Sequence, residues 1–346
     1  MTTARAATLY GPKDLRLVDR PLDDLAPGFV RIRFAAGGIC GSDMHYYSHG
    51  RIGNFVATAP LVLGHEVAGV VEAVGEGVTT VAPGARVAVN PSRWCGHCDR
   101  CREGRRNLCE NIYFMGSASK TPHMQGGFAT WFDALPEQCV PVPDAVPFEA
   151  AALAEPLAVC LHAVAQAGDI AGKRVLVSGA GPIGVLTVAA ARRAGAGEIT
   201  ASDVIDEPLA YARRMGATTV VNLAKDPGAL ASKPFDVIFE ASGAPVAVAA
   251  AMELAAPRGT IVQIGQAGQA EIPVWRLVSR EIILRGTFRF IDEFATAVAA
   301  ISDGSVDTAP LLTATLPLAD ATAAFELAAD KRRSMKVQLA FDGAAA

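Results

Sequence analysis

From Gly37 to Glu66 the chain reads GGICGSDMHYYSHGRIGNFVATAPLVLGHE, and Cys40, Ser42, Asp43 and His45 put a thiol, a hydroxyl, a carboxylate and an imidazole close together. A His65–Glu66 pair, preceded by Gly64, closes the stretch. Zinc accepts sulfur, nitrogen and carboxylate oxygen together, and a catalytic zinc keeps one position open for water or substrate. Cys40, His65 and a glutamate, drawn from separate loops, meet that requirement. Taken singly, Cys40 reads as a buried thiol and His65 as a satisfied core imidazole. The motifs that follow turn the reading towards metal.

The first is Cys95-Gly96-His97-Cys98-Asp99-Arg100-Cys101 with Cys109 beyond it, a C-x2-C-x2-C-x7-C spacing. Four thiolates in one compact loop suit a closed tetrahedral zinc site. Iron–sulfur ligation uses the same ligands, but nothing else here suggests electron transfer. A site filled by four sulfurs has no open position, so its expected role is structural, pinning a lobe without a core of its own.

The second is Gly179-Ala180-Gly181-Pro182-Ile183-Gly184. A lone G-x-G-x-x-G is weak evidence. Here it follows an apolar strand, Lys173 to Ser178, and opens a helix from Val185 to Ala194, with another strand at Glu198 to Asp203. In that setting the glycines let the backbone approach a pyrophosphate at a helix N-terminus. Asp203 lies 19 residues after Gly184, near the spacing of a carboxylate that holds the adenosine ribose hydroxyls. No Arg or Lys lies between Asp203 and Pro208, where a 2′-phosphate would want one, so NAD is expected over NADP.

These groups need elements to hold them. Residues 1–150 show short alternating stretches, such as 14–18, 29–34, 67–75 and 85–89, separated by Gly and Pro turns, as expected of a compact β-rich domain. From Pro147 Ala-rich helical runs alternate with short apolar strands at 218–223, 235–240, 260–265 and 281–284, with Pro257-Arg258-Gly259 read as a turn. The expectation is an α/β domain over 151–287 with about six strands in a parallel, doubly wound sheet. A helix is expected from Ile291 to Ser302, and Gly343 to Ala346 are expected to fray.

The chain has 346 residues, 51% hydrophobic and 19% charged, enough for two packed domains. A net charge of −4 argues against nucleic-acid or membrane-surface partners. The uncharged run Val175–Ala191 contains GAGPIG and reads as strand, turn and helix, not as a membrane span. Seven cysteines without a signal-peptide pattern point to reduced thiols and a cytoplasmic protein.

Together these residues resemble the zinc-containing medium-chain dehydrogenases, the alcohol and polyol family, over essentially the whole chain. The resemblance implies a GroES-like catalytic domain over 1–150, completed by 288–346, packed on a Rossmann domain over 151–287, with the site in the cleft between. GHE at 64–66 matches the family's metal motif. Cys40, His65 and the Glu66/Glu155 pair match its catalytic zinc positions, and which glutamate ligates stays open. Glu155 stands where alcohol dehydrogenases carry a second cysteine and polyol dehydrogenases a glutamate, which favours a polyol-type substrate.

Within the family, CGSDMHYYSHGRIGNF, GSASKTPHMQGGF (116–128) and GTFRFIDEFATAVAAI look most like the members that act on L-idonate. Sorbitol dehydrogenases share the first block and usually carry tyrosine where Phe290 stands. The implied reaction is oxidation of the C5 hydroxyl of L-idonate to 5-dehydro-D-gluconate, or the reverse. Sorbitol or xylitol is the alternative substrate class, and a non-catalytic NAD-binding scaffold the alternative of another kind. Intact Cys40, His65, Glu66 and Glu155 argue against the scaffold.

The resemblance also implies site roles. Ser42 takes the alcohol proton and passes it through the cofactor ribose towards His45, although Ser42 also reads as a turn residue and His45 as a surface imidazole. Tyr46 matches a substrate contact. Gly179, Gly181, Pro182, Ile183, Gly184, Asp203, Ser242, Gly265, Phe288 and Arg289 fall at cofactor positions. An acid sugar wants a cation, for which Arg51, Lys120, His123 and Arg289 are candidates. Arg289 leads, because guanidinium binds carboxylate in a bidentate fork, although the resemblance gives Arg51 and Arg289 to idonate and sorbitol enzymes alike and leaves His123 as the one that could separate them. The family's habit implies a dimer or tetramer.

Overall fold

Alternating burial along Val30–Gly38 makes this strand the axis of the first sheet: Ile32 and Phe34 point inwards and are fully buried, while Arg31 and Arg33 face outwards. Each such buried side chain contributes about 1.5–3 kcal/mol relative to exposure. The structure, a computed structural model, describes residues 3–231, 234–266 and 268–340. The tail Gly343 to Ala346 lies outside the described residues.

The sheet runs Cys139–Pro141, Arg86–Val89, Glu66–Val74, Val30–Gly38, Lys336–Ala340 and Leu312–Pro317, with Trp131–Ala134 paired to Val30–Gly38 as well. Residues from the far end of the chain thus complete a sheet begun near its start. Gly38 lies opposite Glu66 on one side and Gln338 on the other. That register brings Lys336, two residues before Gln338, towards the metal stretch. Thr3–Gly11, Asp14–Pro21 and Leu61–Val62 form a smaller antiparallel sheet.

The second unit is a six-stranded parallel sheet in the order Thr219–Asn222, Glu198–Asp203, Arg174–Ser178, Phe235–Glu240, Ala255–Gln263, Ile283–Gly286. The chain starts at the third position, works outwards to one edge, then returns past the start to the other. This is the doubly wound order whose crevice lies at the carboxyl ends of the strands on either side of the reversal. The fold class is the expected one, a GroES-like β-rich unit beside a Rossmann sheet.

Helix Ala154–Ala167 joins the two units. It is buried along most of its length, and its small residues pack into one core with Ala36, Ala68 and Ala88 of the first sheet and Val175, Val177 and Val237 of the second.

Three local expectations change. Residues Gly41–His49 form a helix, which their polar composition hides. The helix after the glycine motif begins at Pro182, not Val185, because proline suits the first helical position. Pro257-Arg258-Gly259 does not precede its strand but interrupts it. Phe235 pairs with Ala255 and Val237 with Thr260, so the residues between bulge out, with Arg258 at φ 60°. Among the described residues no helix is long and apolar enough to cross a membrane.

Candidate active site and metal centres

Cys40 ends the loop after Val30–Gly38 and caps helix Gly41–His49; His65 and Glu66 sit where Glu66–Val74 begins; Glu155 opens helix Ala154–Ala167. The site is thus built from element ends, not from separate loops. Donor atoms of Cys40, His65 and Glu66 lie within 4.8 Å of one another. Glu155 is outside that group, yet it is buried and close enough to His65, Glu66 and Cys40 to feel their charges.

Asp43 was given no role from sequence. It is buried and accepts backbone N–H bonds from Cys40 (3.0 Å) and Gly64 (3.1 Å), and its Oδ1 lies 3.7 Å from His65 Nδ1. It therefore fixes both ligand-bearing segments and orients the imidazole, as carboxylates behind metal-binding histidines do. Ser42 Oγ is 3.5 Å from His65 Nε2, the other ring nitrogen.

Lys336 was missed as well, although a lysine opening the apolar strand KVQLA is an anomaly that sequence displays. Its ammonium is buried, donates to Glu66 Oε1 at 2.6 Å and to the Ile39 carbonyl at 3.0 Å, and also contacts Glu66 Oε2. Burial acts to lower its pKa, but Glu66 and Cys40 outweigh it and the pKa is raised. Gly38 makes room for this pair, because a Cβ there would collide with the Glu66 carboxylate and lie 3.0 Å from Lys336 Cε.

The donor set suits zinc. Burial pushes the Cys40 thiol up to about 11, with Glu66 adding to it. Burial likewise pushes Glu155 up to about 8; His65 opposes this and Glu66 and Cys40 reinforce it. With these groups all deprotonated, one lysine would not balance their charge. A divalent cation relieves that crowding and uses sulfur, nitrogen and oxygen at once.

The four-cysteine lobe gathers Cys95, Cys98, Cys101 and Cys109 into a second group within 4.8 Å. Cys109 Sγ accepts N–H bonds from Cys95 and Asn111, both at 3.3 Å, and Cys95 Sγ accepts from Cys98 at 3.4 Å. Backbone donors at His97 and Cys98 pull Cys95 down to about 6, and those at Cys101 and Glu110 lower Cys98, whereas burial pushes Cys101 up to about 12. Four sulfurs and no oxygen donor fit a closed site.

At the Rossmann crevice Gly179 has φ 93°, and a Cβ there would meet Ser242 N at 2.7 Å, so the turn and the close approach both require glycine. A Cβ on Gly181 would meet nothing within 4 Å, and no side chain caps the helix starting at Pro182. Open space before uncapped N–H groups fits a pyrophosphate. Gly184 packs on the Gly179 carbonyl and Gly265 on Gly243. Buried Glu240 holds the Ser242 loop, accepting from Ser242 N (2.9 Å), Ser242 Oγ and Gly243 N (3.2 Å).

Asp203 stands beside this crevice. Its Oδ2 accepts from Ala180 N at 2.7 Å, and its Oδ1 from Val204 N at 2.7 Å and Ile205 N at 3.1 Å. A carboxylate has about four acceptor positions. Three are taken, which leaves acceptor capacity for a ribose hydroxyl.

The substrate-side candidates separate clearly. Tyr46 is buried and its Oη accepts from Ala118 N at 3.0 Å, tying the 116–128 block to helix Gly41–His49. His45 is exposed, its ring 6.1 Å from that of His49. Arg51 and Lys120 are exposed, and Arg51 donates to Gly53 O. His123 has both ring nitrogens engaged by the backbone: Nε2 accepts from Thr58 N at 2.9 Å and Nδ1 lies 2.9 Å from Lys120 O. Neither nitrogen is left free to meet a substrate.

Arg289 differs. Its guanidinium lies 3.8 Å over Phe114 and 4.7 Å over exposed Phe288, and its Nη1 is buried without a partner. Burial lowers its pKa to about 10, with Glu155 and then Tyr46 opposing the fall. Phe114 in turn packs on His65 at 5.2 Å, so a cation and the metal group flank one aromatic ring.

Comparison with known proteins agrees with this geometry. Residues 26–144 match the alcohol dehydrogenase GroES-like domain, and residues 182–303 the zinc-binding dehydrogenase domain. The chain is similar to L-idonate 5-dehydrogenase (NAD(P)(+)) of Escherichia coli strain K12, 42% identical across 97% of this chain and 98% of that one. It is similar also to sorbitol dehydrogenase of Macaca fascicularis, at 37% identity across 92% and 90%. The crystal structure of the E. coli L-idonate 5-dehydrogenase matches with a TM-score of 0.94, covering 98% of this chain and 99% of that chain.

Proposed function

We propose that this chain, which belongs to the zinc-containing medium-chain dehydrogenases, interconverts L-idonate and 5-dehydro-D-gluconate, transferring hydride between the C5 position and NAD. The observation that carries the substrate class is Arg289. A buried guanidinium with an unpartnered nitrogen, beside the metal group, is a receptor for a carboxylate. A neutral polyol can offer that nitrogen only a hydroxyl oxygen, without the charge of a carboxylate.

We assign Cys40, His65 and Glu66 to the catalytic metal, with Glu155 the acidic group beside it, and Cys95, Cys98, Cys101 and Cys109 to a structural one. When bound, zinc acts as a Lewis acid that lowers the pKa of the substrate hydroxyl, and the nicotinamide accepts the hydride. Ser42 takes the proton at Oγ, and His45, exposed on the same helix, exchanges it with solvent. Tyr46 lines the pocket, while Arg289 fixes which end of the sugar acid faces inwards. Gly179, Gly181, Pro182, Ile183, Gly184, Ser242, Gly265 and Phe288 frame the cofactor. We draw the units at 1–150 with 288–346, and at 151–287, a division supported by the strand order of the two sheets.

The test is kinetic. L-idonate is expected to exceed sorbitol and xylitol by roughly ten- to a hundredfold in kcat/KM, the worth of a hydrogen bond to a charged group. Arg289→Ala should collapse that ratio. Equal efficiency on sorbitol, or no reduction of 5-dehydro-D-gluconate with NADH, removes the assignment. In the same assays NAD should exceed NADP by about tenfold, or about 1.4 kcal/mol, because the Asp203 charge repels a 2′-phosphate. Asp203→Asn should erase the preference, and an unchanged preference would refute Asp203's role.

A homo-oligomer, dimer or tetramer, is supported by the edge strand Ile283–Gly286, where Ile283 and Leu284 are exposed, and by exposed Val274, Trp275 and Val278 on the adjacent helix. Light scattering that gives a single-chain mass at micromolar concentration would exclude it.

A further inference from the structure

We propose that Asn107, in the four-cysteine lobe, is a positioning residue for Arg289, so that the lobe sets substrate selectivity as well as holding the fold. The inference rests on reading Arg289 as the carboxylate receptor.

Arg289 has φ 53°, a left-handed conformation that a side-chain-bearing residue adopts at a cost. Such a conformation persists only where its surroundings over-determine it. The surroundings here come from the lobe. Asn107 is buried, and its Nδ2 donates to the Phe288 carbonyl at 2.8 Å. That carbonyl belongs to the peptide entering Arg289, so holding it fixes the plane about which φ of Arg289 turns.

Its neighbour Arg106 grips the other end of the same turn, donating to Asp292 at 2.6 Å while lying over Trp94. The two residues share one short 3-10 turn, Arg106–Leu108, which ends at the ligand-bearing Cys109. Phe114, five residues beyond Cys109, supplies the ring beneath the guanidinium. Backbone and side chain of Arg289 are thus both set from one small region of the first domain.

Removing the Asn107 donor frees the 288–289 peptide to rotate. Arg289 then relaxes towards ordinary backbone geometry and its guanidinium leaves the ring. Metal binding and hydride transfer do not use Asn107, so kcat on a neutral polyol should hold.

The test is a double-mutant cycle with Asn107→Asp, which keeps the volume but removes the donor, and Arg289→Ala. Asn107→Asp is expected to lower the idonate-to-sorbitol ratio of kcat/KM about three- to tenfold, the worth of one hydrogen bond, mainly through KM for idonate. The double variant should match Arg289→Ala alone, because residues acting through one another are not additive. In the presence of NADH, L-idonate should raise the unfolding temperature of wild type more than that of Asn107→Asp.

Purely structural anchoring would instead lower the unfolding temperature and leave the ratio and the idonate shift untouched, which overturns the proposal. Additive effects of the two substitutions overturn it as well. If Arg289→Ala itself leaves the ratio unchanged, the carboxylate reading has failed and this proposal falls with it. If Arg289→Ala collapses the ratio and Asn107→Asp does not, only the positioning role is lost.

Discussion

Cys40→Ser is expected to reduce kcat/KM by about a thousandfold or more and to remove one of the two zinc ions per chain, with little change in unfolding temperature. The two ions follow from the two converging donor groups. An open centre depends on few protein ligands, and the Lewis-acid contribution of several kcal/mol disappears with the ion. The surrounding structure does not depend on that ion, because Asp43 ties Cys40 N and Gly64 N together through protein atoms alone.

Cys95→Ser should do the reverse. The lobe around Cys95 has little buried apolar surface, with no residue of Asp99–Arg102 buried, so its order rests on the ion. Losing it should lower the unfolding temperature and solubility while turnover on a neutral polyol survives. Chelators should strip the catalytic ion first, since one of its positions is already exchangeable. Elemental analysis combined with thermal unfolding checks both variants. One zinc or none in well-folded wild-type protein would end the two-centre description.

The glycine motif and the four-cysteine spacing were legible in the sequence because each is a local requirement. A phosphate cradle and a tetrahedral thiolate site are built from neighbours in the chain. The parallel sheet was legible for a similar reason, since strands buried on both faces read as short apolar runs. Helix Gly41–His49 was not, because it buries Asp43, Tyr46 and Tyr47 in place of an aliphatic stripe. Its buried face serves the site, so periodicity says little about it. Contacts between distant segments were equally hidden. His123 reads as a candidate cation until Thr58 N and Lys120 O take its two nitrogens, and nothing in the sequence pairs Asn107 with the Phe288 carbonyl. Sequence names the donors and acceptors in such cases; only the fold pairs them.

Lys336→Met is expected to lower the unfolding temperature of the metal-free protein by about 4–7 °C. Breaking a buried pair by removing one partner costs about 3–5 kcal/mol, because the other charge is left without compensation. In a chain of 346 residues each kcal/mol shifts the midpoint by roughly 1.4 °C. Glu66 and Lys336 are both almost completely buried, and the lysine reaches Glu66 only because Gly38 has no side chain in the way. With zinc bound the loss should shrink, since the ion also offsets the Glu66 charge. Adding Glu66→Gln to Lys336→Met should restore part of the stability, because a neutral amide can stay buried at far lower cost than a lone carboxylate. The double variant should then be less destabilised than Lys336→Met alone, with catalytic zinc affinity reduced because a charged ligand has gone. Thermal unfolding with and without chelator measures each difference. A metal-free Lys336→Met midpoint within about 1 °C of wild type, less than one kcal/mol in a chain this long, would mean that Glu66 does not depend on Lys336 for its charge. Glu66 would then be held by its register opposite Gly38 alone.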